Sequence, residues 1–287
     1  ILDKDERVIG VLAGRPQSNL PEWDRVVEDA GKAMDAAASE CVFKDHQIRH
    51  RRGEFPTLAY GISFGGGRTA PGVIKNEPKH TSALQKLCSN TAIKRLAGFG
   101  SSVLSAFAPR VYDYMSGCLQ RLLQHHDGLR LNFPCSIYPA ASFNFGPHAA
   151  SFKHTDAAND ACNLCVITAL GTFDPKTGGH IVLYALEAII EFPSGSTVAI
   201  ASAVFPHGNI PVKKHEYRQS FTQYCAGGLL RWVECGFRTL GNFATQDPEG
   251  KVAYNAGLSG RVQECIDRFS TLGELLGKGA QEPEDVD

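Results

Sequence analysis

Phe152-Lys153-His154-Thr155-Asp156 is the stretch on which the rest of the chain turns. Its pattern reads as a strand, and residues two apart on a strand point to one face. The His154 imidazole and the Asp156 carboxylate therefore meet the same space. A second imidazole would complete two nitrogens and one carboxylate on three corners of an octahedron, a set that holds Fe(II) with three positions open.

Four histidines compete for the remaining corner. His148 lies six residues before His154, on the same strand or its approach. His180 follows Gly178-Gly179 and reads as the end of a turn, and His215 sits in the polar turn Lys213-Lys214-His215-Glu216. His207 is preceded by a strand-like run and followed by Gly208-Asn209, so it falls at a strand end, where a barrel-mouth ligand belongs. His207 is the expected third ligand.

Arg218 follows eleven residues later, far enough for a turn and a new strand. With a period of two, Arg218, Ser220, Thr222 and Tyr224 share a face opposite Gln219, Phe221 and Gln223. An arginine on the inner face of a small barrel is costly unless paired. The partner is either an internal Asp or Glu, or the carboxylate of a dicarboxylic co-substrate held in a bidentate clamp. Ser220 can donate to that same carboxylate. Asn144, in Phe143-Asn144-Phe145-Gly146-Pro147, either bonds the far end of the co-substrate or caps a turn. In the order His-x-Asp, distant His, Arg-x-Ser, the pattern points to Fe(II) and a dicarboxylic co-substrate.

A chain of 287 residues with 43% hydrophobic and 21% charged residues can bury a large core. The net charge of −1 gives no global attraction to nucleic acid, so any such binding must use local patches. Apolar runs such as residues 198–205 are too short to span a bilayer, and no signal-peptide pattern opens the chain. Neither a membrane partner nor oligomerisation is expected, and the protein reads as an intracellular monomer. Nine cysteines without a framework suggest thiols in a reducing compartment, and Cys162-x-x-Cys165 reads as buried thiols rather than a zinc site.

Residues 1–134 alternate helix and loop signals. Ser18-Asn19-Leu20-Pro21 marks a helix start, and Trp23, Val26, Val27, Ala30, Met34 and Ala37 recur at helical spacing. A second helical region runs over residues 82–126, punctuated by Gly98, Gly100 and Pro109. Between them, Phe64-Gly65-Gly66-Gly67-Arg68 reads as a loop whose backbone amides can approach phosphates, with Arg68 beside them. The densest basic cluster is Lys44, Arg49, His50, Arg51 and Arg52. Residues 135–240 become short β-rich segments with turns at Asp174-Pro175 and Pro193-Ser194-Gly195. That pattern predicts a double-stranded β-helix (jelly-roll or cupin-like) core, mainly β with helical support, an α+β chain of one catalytic domain. Residues 241–287 are expected to hold a loop, a helix near 262–276 and an acidic tail.

His154-Thr155-Asp156-Ala157-Ala158-Asn159, His207 and Arg218-Gln219-Ser220-Phe221-Thr222-Gln223-Tyr224 together resemble the TET/JBP dioxygenases, which oxidise methylated bases in DNA. The run over residues 142–238 is similar to the fungal branch of that family. The N-terminal third matches loosely, through Gly61-Ile62-Ser63-Phe64-Gly65-Gly66-Gly67. The resemblance implies iron on His154, Asp156 and His207, and 2-oxoglutarate on Arg218 and Ser220. It implies a polar base contact at Asn159 and a stacking aromatic at Tyr224. Where the family often has a histidine eight residues after the arginine, this chain has Ala226.

The expected partner is methylated double-stranded DNA with a flipped base, since a methyl group inside a duplex cannot reach a buried iron. Arg49, Arg51, Arg52 and Arg68 are the expected phosphate contacts, and the nucleus the expected location. Asn159 offers donor and acceptor and so can pair with the edge of either 5-methylcytosine or N6-methyladenine; 5-methylcytosine is the main expected substrate, with tolerance for N6-methyladenine where Ala226 leaves space. Two alternatives keep part of the pattern: a hydroxylase of protein or small molecule, and a jelly-roll binding module without metal.

Overall fold

The computed structural model describes residues 1–17 and 20–277. The chain opens with β1 (Gly10–Gly14) and α1 (Leu20–Ser39), and then α2 (Asp45–Ile48) leads into a hairpin of β2 (Arg49–His50) and β3 (Gly53–Glu54). β4 (Thr57–Ser63) and β5 (Gly72–Val73) flank the glycine loop, followed by α3 (Pro78–Ser89), α4 (Thr91–Phe107) and α5 (Pro109–His125). The central strands are β6 (Ala140–Asn144), β7 (Cys165–Thr172), β8 (Ile181–Leu183), β9 (Ala188–Ile190), β10 (Thr197–Ile200), β11 (His207–Asn209) and β12 (Tyr217–Tyr224). Five helices end the described chain: α6 (Gly227–Glu234), α7 (Leu240–Gln246), α8 (Pro248–Ala256), α9 (Leu258–Asp267) and α10 (Leu272–Gly277).

The major sheet has seven strands in the order β1-β10-β7-β12-β6-β4-β5, and a minor sheet runs β11-β8-β9. All the pairings in both sheets are antiparallel. Alternation along the strands explains how the layers stack. On β7, Ala169 joins Ile181, Leu183, Phe192, Val198 and Ile200 in the core between the two sheets. Leu170 on β7 and Phe221 on β12 point the other way, into a core shared with Trp23, Ala30 and Met34 of α1 and Leu96 of α4. The helices thus brace one face of the major sheet and leave the other for the site.

The helical pattern holds where its signals were strong. Trp23, Val27, Ala30, Met34 and Ala37 form the buried face of α1, with Val26 at its margin. The proposed cap at Ser18-Asn19 lies outside the described residues, as does the acidic tail. The second helical region resolves into α3, α4 and α5. Asn90 caps α4 by accepting from the amides of Ala92 and Ile93, and Pro109 starts α5. Gly100 is where α4 presses on the sheet, since a Cβ there would meet Val166 Cγ1 at 2.6 Å.

Three expectations need correction. The N-terminal third is not only helix and loop, because β1 and β4 extend the core sheet at both ends. Their partners β10 and β6 are about 80 residues or more away in sequence, so local periodicity carries little sign of them. The stretch after residue 240 holds four helices rather than a loop and one helix. Cys162 is not a buried thiol: it is bonded to Cys265 on α9, while Cys165 remains a free buried thiol. The partners lie 103 residues apart, and helix–loop patterns carry no trace of such a contact. Among the described residues, no helix is long and apolar enough to cross a membrane.

Candidate active site

His154 and Asp156 do not sit on a regular strand. They lie on an extended link between β6 and β7 whose amides change partner as it crosses the mouth of the two sheets. Phe152 N donates to Arg52 O, His154 N to His207 O and Asp156 N to Ser202 O. The ladder is too short to count as a strand, yet the alternation survives, and both side chains face β11. His207 opens β11 and returns its own amide to His154 O at 2.9 Å.

Each histidine is oriented in the same way. His154 Nδ1 bonds Phe152 O at 2.8 Å and His207 Nδ1 bonds Phe205 O at 2.9 Å, each to the carbonyl two residues back. With Nδ1–H donating, the Nε2 lone pairs turn inward, as second-shell bonds do for metal-ligating imidazoles. Asp156 Oδ1 lies 3.7 Å from His154 Nε2, and Oδ2 lies 3.9 Å from His207 Nε2. One ligand atom from each residue falls within 4.8 Å of the others. Burial, and then His207, pushes His154 down to about 4. His207 is lowered as well, first by burial. Both rings are therefore neutral ligands at neutral pH. Two imidazole nitrogens and a carboxylate in this spacing fit Fe(II).

Arg218 is 1% exposed on β12, between β6 and β7. Its Nη1 donates to Ala149 O, and its Nε and Nη2 are buried without a partner. Phe173 and Phe192 stand 5.8 and 5.9 Å from the guanidinium. No internal Asp or Glu pairs with it among the described residues, and burial pulls its pKa down to about 10. A buried cation with two idle donors is the cradle a carboxylate fills. The donor set fits one end of 2-oxoglutarate.

Ser220, two residues on, lines the metal cleft together with Asn144, Thr222, Ile167 and Ile181. Ser220 Oγ accepts from Asn144 Nδ2 at 2.9 Å, which leaves its hydroxyl proton free to donate into the cleft. Asn144 Oδ1 in turn accepts from Thr57 Oγ1 at 2.8 Å. Asn144 is thus tied to β4 and β12, with one N–H left over.

The basic cluster splits. Arg51 and Arg52 form the turn of the β2–β3 hairpin, and that turn leans over the metal ligands. Arg51 Nη1 donates to Thr155 O at 2.9 Å, its Nη2 lies 4.0 Å from Asp156 Oδ1, and Arg52 lines the cleft. Gly53 permits the approach, since a Cβ there would meet the Phe55 ring at 2.4 Å and Ala150 O at 3.0 Å. Arg49 points elsewhere and pairs with Asp45 at 3.2 Å. Arg68 closes the glycine loop through Gly72 O at 3.0 Å.

None of the expected base contacts lines the cleft of His154, Asp156 and His207, and Asn159 lines a neighbouring cavity instead. Tyr224 ends β12 half-buried, its phenol pushed up by burial and bonded to the Ser142 hydroxyl. Asn159 spends its amide donors inward, on Cys165 Sγ at 3.1 Å and Ser202 Oγ at 3.3 Å. Ala226 is buried at the start of α6 and bridges to Asn159 through the backbone. Sequence reading missed Thr57, Phe173 and Phe192, which contact Asn144 or flank Arg218 from distant strands and turns. Only the pairing of β4 with β6 could have pointed to Thr57.

No family model matches the chain, and no curated protein matches it in sequence. Among solved structures it resembles NgTET1 in complex with 5mC DNA, with a TM-score of 0.55 and 14% identity over 76% of this chain and 72% of that one. The fold, two antiparallel sheets stacked with helices on one face, is consistent with a double-stranded β-helix. Lower likenesses include a 2OG-Fe(II) oxygenase family oxidoreductase from Burkholderia pseudomallei, with a TM-score of 0.37 and 15% identity over 75% of this chain and 94% of that one. A Pseudomonas putida prolyl-4-hydroxylase gives 0.36 and 14% over 76% and 92%. At 14% identity, the likeness to NgTET1 is one of fold. The His154-Asp156-His207 set adds a cleft whose ligand atoms, within 4.8 Å of one another, could hold a metal ion.

Proposed function

We propose that the protein is an Fe(II)/2-oxoglutarate-dependent dioxygenase that oxidises methylated bases in DNA, 5-methylcytosine first and N6-methyladenine second. The observation that carries the cofactor reading is Arg218, a buried guanidinium with two idle donors on the strand that lines the His-Asp-His cleft. His154, Asp156 and His207 would hold the iron, and Arg218 with Ser220 would hold a carboxylate of the co-substrate. Once bound, iron, 2-oxoglutarate and O2 supply an oxidant for the methyl group, with succinate and CO2 as co-products.

The chain's own residues do the positioning. Nδ1 bonds fix both imidazoles, the Phe173 and Phe192 rings keep water from Arg218, and Arg51 and Arg52 bring positive charge to the mouth. The fold shared with NgTET1 and this arginine turn support DNA as the substrate, and on that reading the protein would act in the nucleus. Tyr224 would stack on the flipped base, worth about 1–3 kcal/mol against unstacking. Asn159, its donors spent, would offer Oδ1 to an exocyclic amino group. Cytosine N4 and adenine N6 both present one, and Ala226 adds no further discrimination.

Mass spectrometry of nucleosides from methylated duplexes, incubated with protein, Fe(II) and 2-oxoglutarate, tests this reading. Oxidised 5-methylcytosine is expected, and His154→Ala, Asp156→Ala and His207→Ala should each abolish both turnover and iron binding by titration. Turnover of a peptide or metabolite with none on DNA would leave a hydroxylase of another substrate class. Failure to bind iron would leave a jelly-roll binding module.

A further inference from the structure

Beside the metal cleft lies a second cavity of about 480 Å³, within the usual range for small-ligand sites. One wall is the chain just after Asp156, residues 157–162. The others are the glycine loop at residues 64–66, α6, and the C-terminal helices. Three guanidinium groups line it. Arg268 stands 3.4 Å from the centroid of the Tyr114 ring and Arg261 stands 3.8 Å from that of Tyr254. Arg231 is exposed on α6.

The stacked rings fix two of these guanidinium planes and leave N–H edges to face a ligand. Arg261 spends one donor on Tyr254 O. None of the three arginines forms an ion pair among the described residues. The two carboxylates present are poor partners. Glu234 Oε1 accepts the Tyr114 hydroxyl, and burial pushes Asp160 up to about 6 against the pull of Arg268. Three arginines therefore face two carboxylates, neither of them in an ion pair with any of the three among the described residues. Because the arginines already cover the aromatic faces, the cavity suits an anion reached through N–H forks rather than a stacked base.

We propose that this cavity is a phosphate-ester site, occupied by the backbone of the strand whose base enters the metal cleft. It rests on the nucleobase reading above. The wall that carries Asn159 is shared with the chain that carries Asp156, so a phosphate held here lies one short loop from the iron ligands. Guanidinium forks match phosphate oxygens in geometry and charge. A free nucleotide offers the same chemistry, and the test separates the two.

The test is fluorescence anisotropy of a methylated duplex across a salt series, with wild type, Arg231→Ala and Arg261→Gln/Arg268→Gln in the full chain. The slope of log affinity against log salt should fall by about 1 for each phosphate that a variant no longer neutralises, equally on unmethylated duplex. Iron titration should be unchanged. Arg231→Ala leaves both tyrosine stacks intact, so it reads the site even if the double variant misfolds. Unchanged slopes in the folded variants, with duplex bound by wild type, overturn the proposal. If wild type binds no duplex, the nucleic-acid reading fails and the cavity is tested alone, by thermal shift with a nucleoside monophosphate. Stabilisation that the arginine variants lose would keep the phosphate site and change its occupant, and no stabilisation would overturn the site itself.

Discussion

At the scale of single residues, Arg218 offers the sharpest test, because its two roles have opposite signs. Without a partner, a buried guanidinium is a cost to folding. With a carboxylate it becomes a clamp. Arg218→Met keeps much of the volume and removes the charge. The variant should melt higher than wild type without co-substrate, and should lose the rise in Tm that 2-oxoglutarate gives wild type. Thermal melts with and without 2-oxoglutarate check both halves. A variant that melts lower and still responds to 2-oxoglutarate would return Arg218 to a structural role. The alternation that puts Arg218 and Ser220 on one face was readable in the sequence, as was the pairing of His154 with Asp156. The direction of the Asn159 amide was not, because Cys165 and Ser202, brought together by folding, decide it.

At the scale of elements, the β2–β3 hairpin shows where sequence reading stops. A run of arginines reads equally as solvated surface or as a nucleic-acid patch. Two-residue strands leave too little periodicity to show that the turn falls between Arg51 and Arg52. Folding sorts the cluster, sending the turn to the metal mouth and Arg49 to Asp45. Arg51→Ala/Arg52→Ala should therefore weaken duplex binding and lower its salt slope by roughly 1–2. Arg49→Ala should change little, since an exposed ion pair contributes about 0–1 kcal/mol. Equal weakening from all three, measured by anisotropy in one salt series, would mean that the hairpin turn has no special place. The strands beyond residue 135 were legible because β8, β9 and β10 are bounded by turn residues. β1 and β4 were hidden, because their partners lie far along the chain.

At the scale of the whole molecule, the C-terminal helices are attached differently from the rest. α8 and α9 have no buried residues, and α7 buries only Phe243. Beyond them the chain docks firmly again, with Arg110 bonding Phe269 O at 2.8 Å and Glu274 at 2.6 Å. Between those anchors, Cys162–Cys265 is the covalent tie to the loop that follows the iron ligands. Closing a loop of this length removes unfolded-state entropy, typically worth about 2–4 kcal/mol. The same bond fixes the helix that brings Arg261 and Arg268 to the second cavity. Cys265→Ser should lower stability by about that amount. Hydrogen exchange should then rise in residues 248–267, while β7 and β12 keep the protection of the core. If exchange rose evenly across the major sheet, the helices would belong to one cooperative core with it. If exchange stayed unchanged everywhere, the stacked tyrosines and the docked segment would suffice to hold α8 and α9 without the bridge.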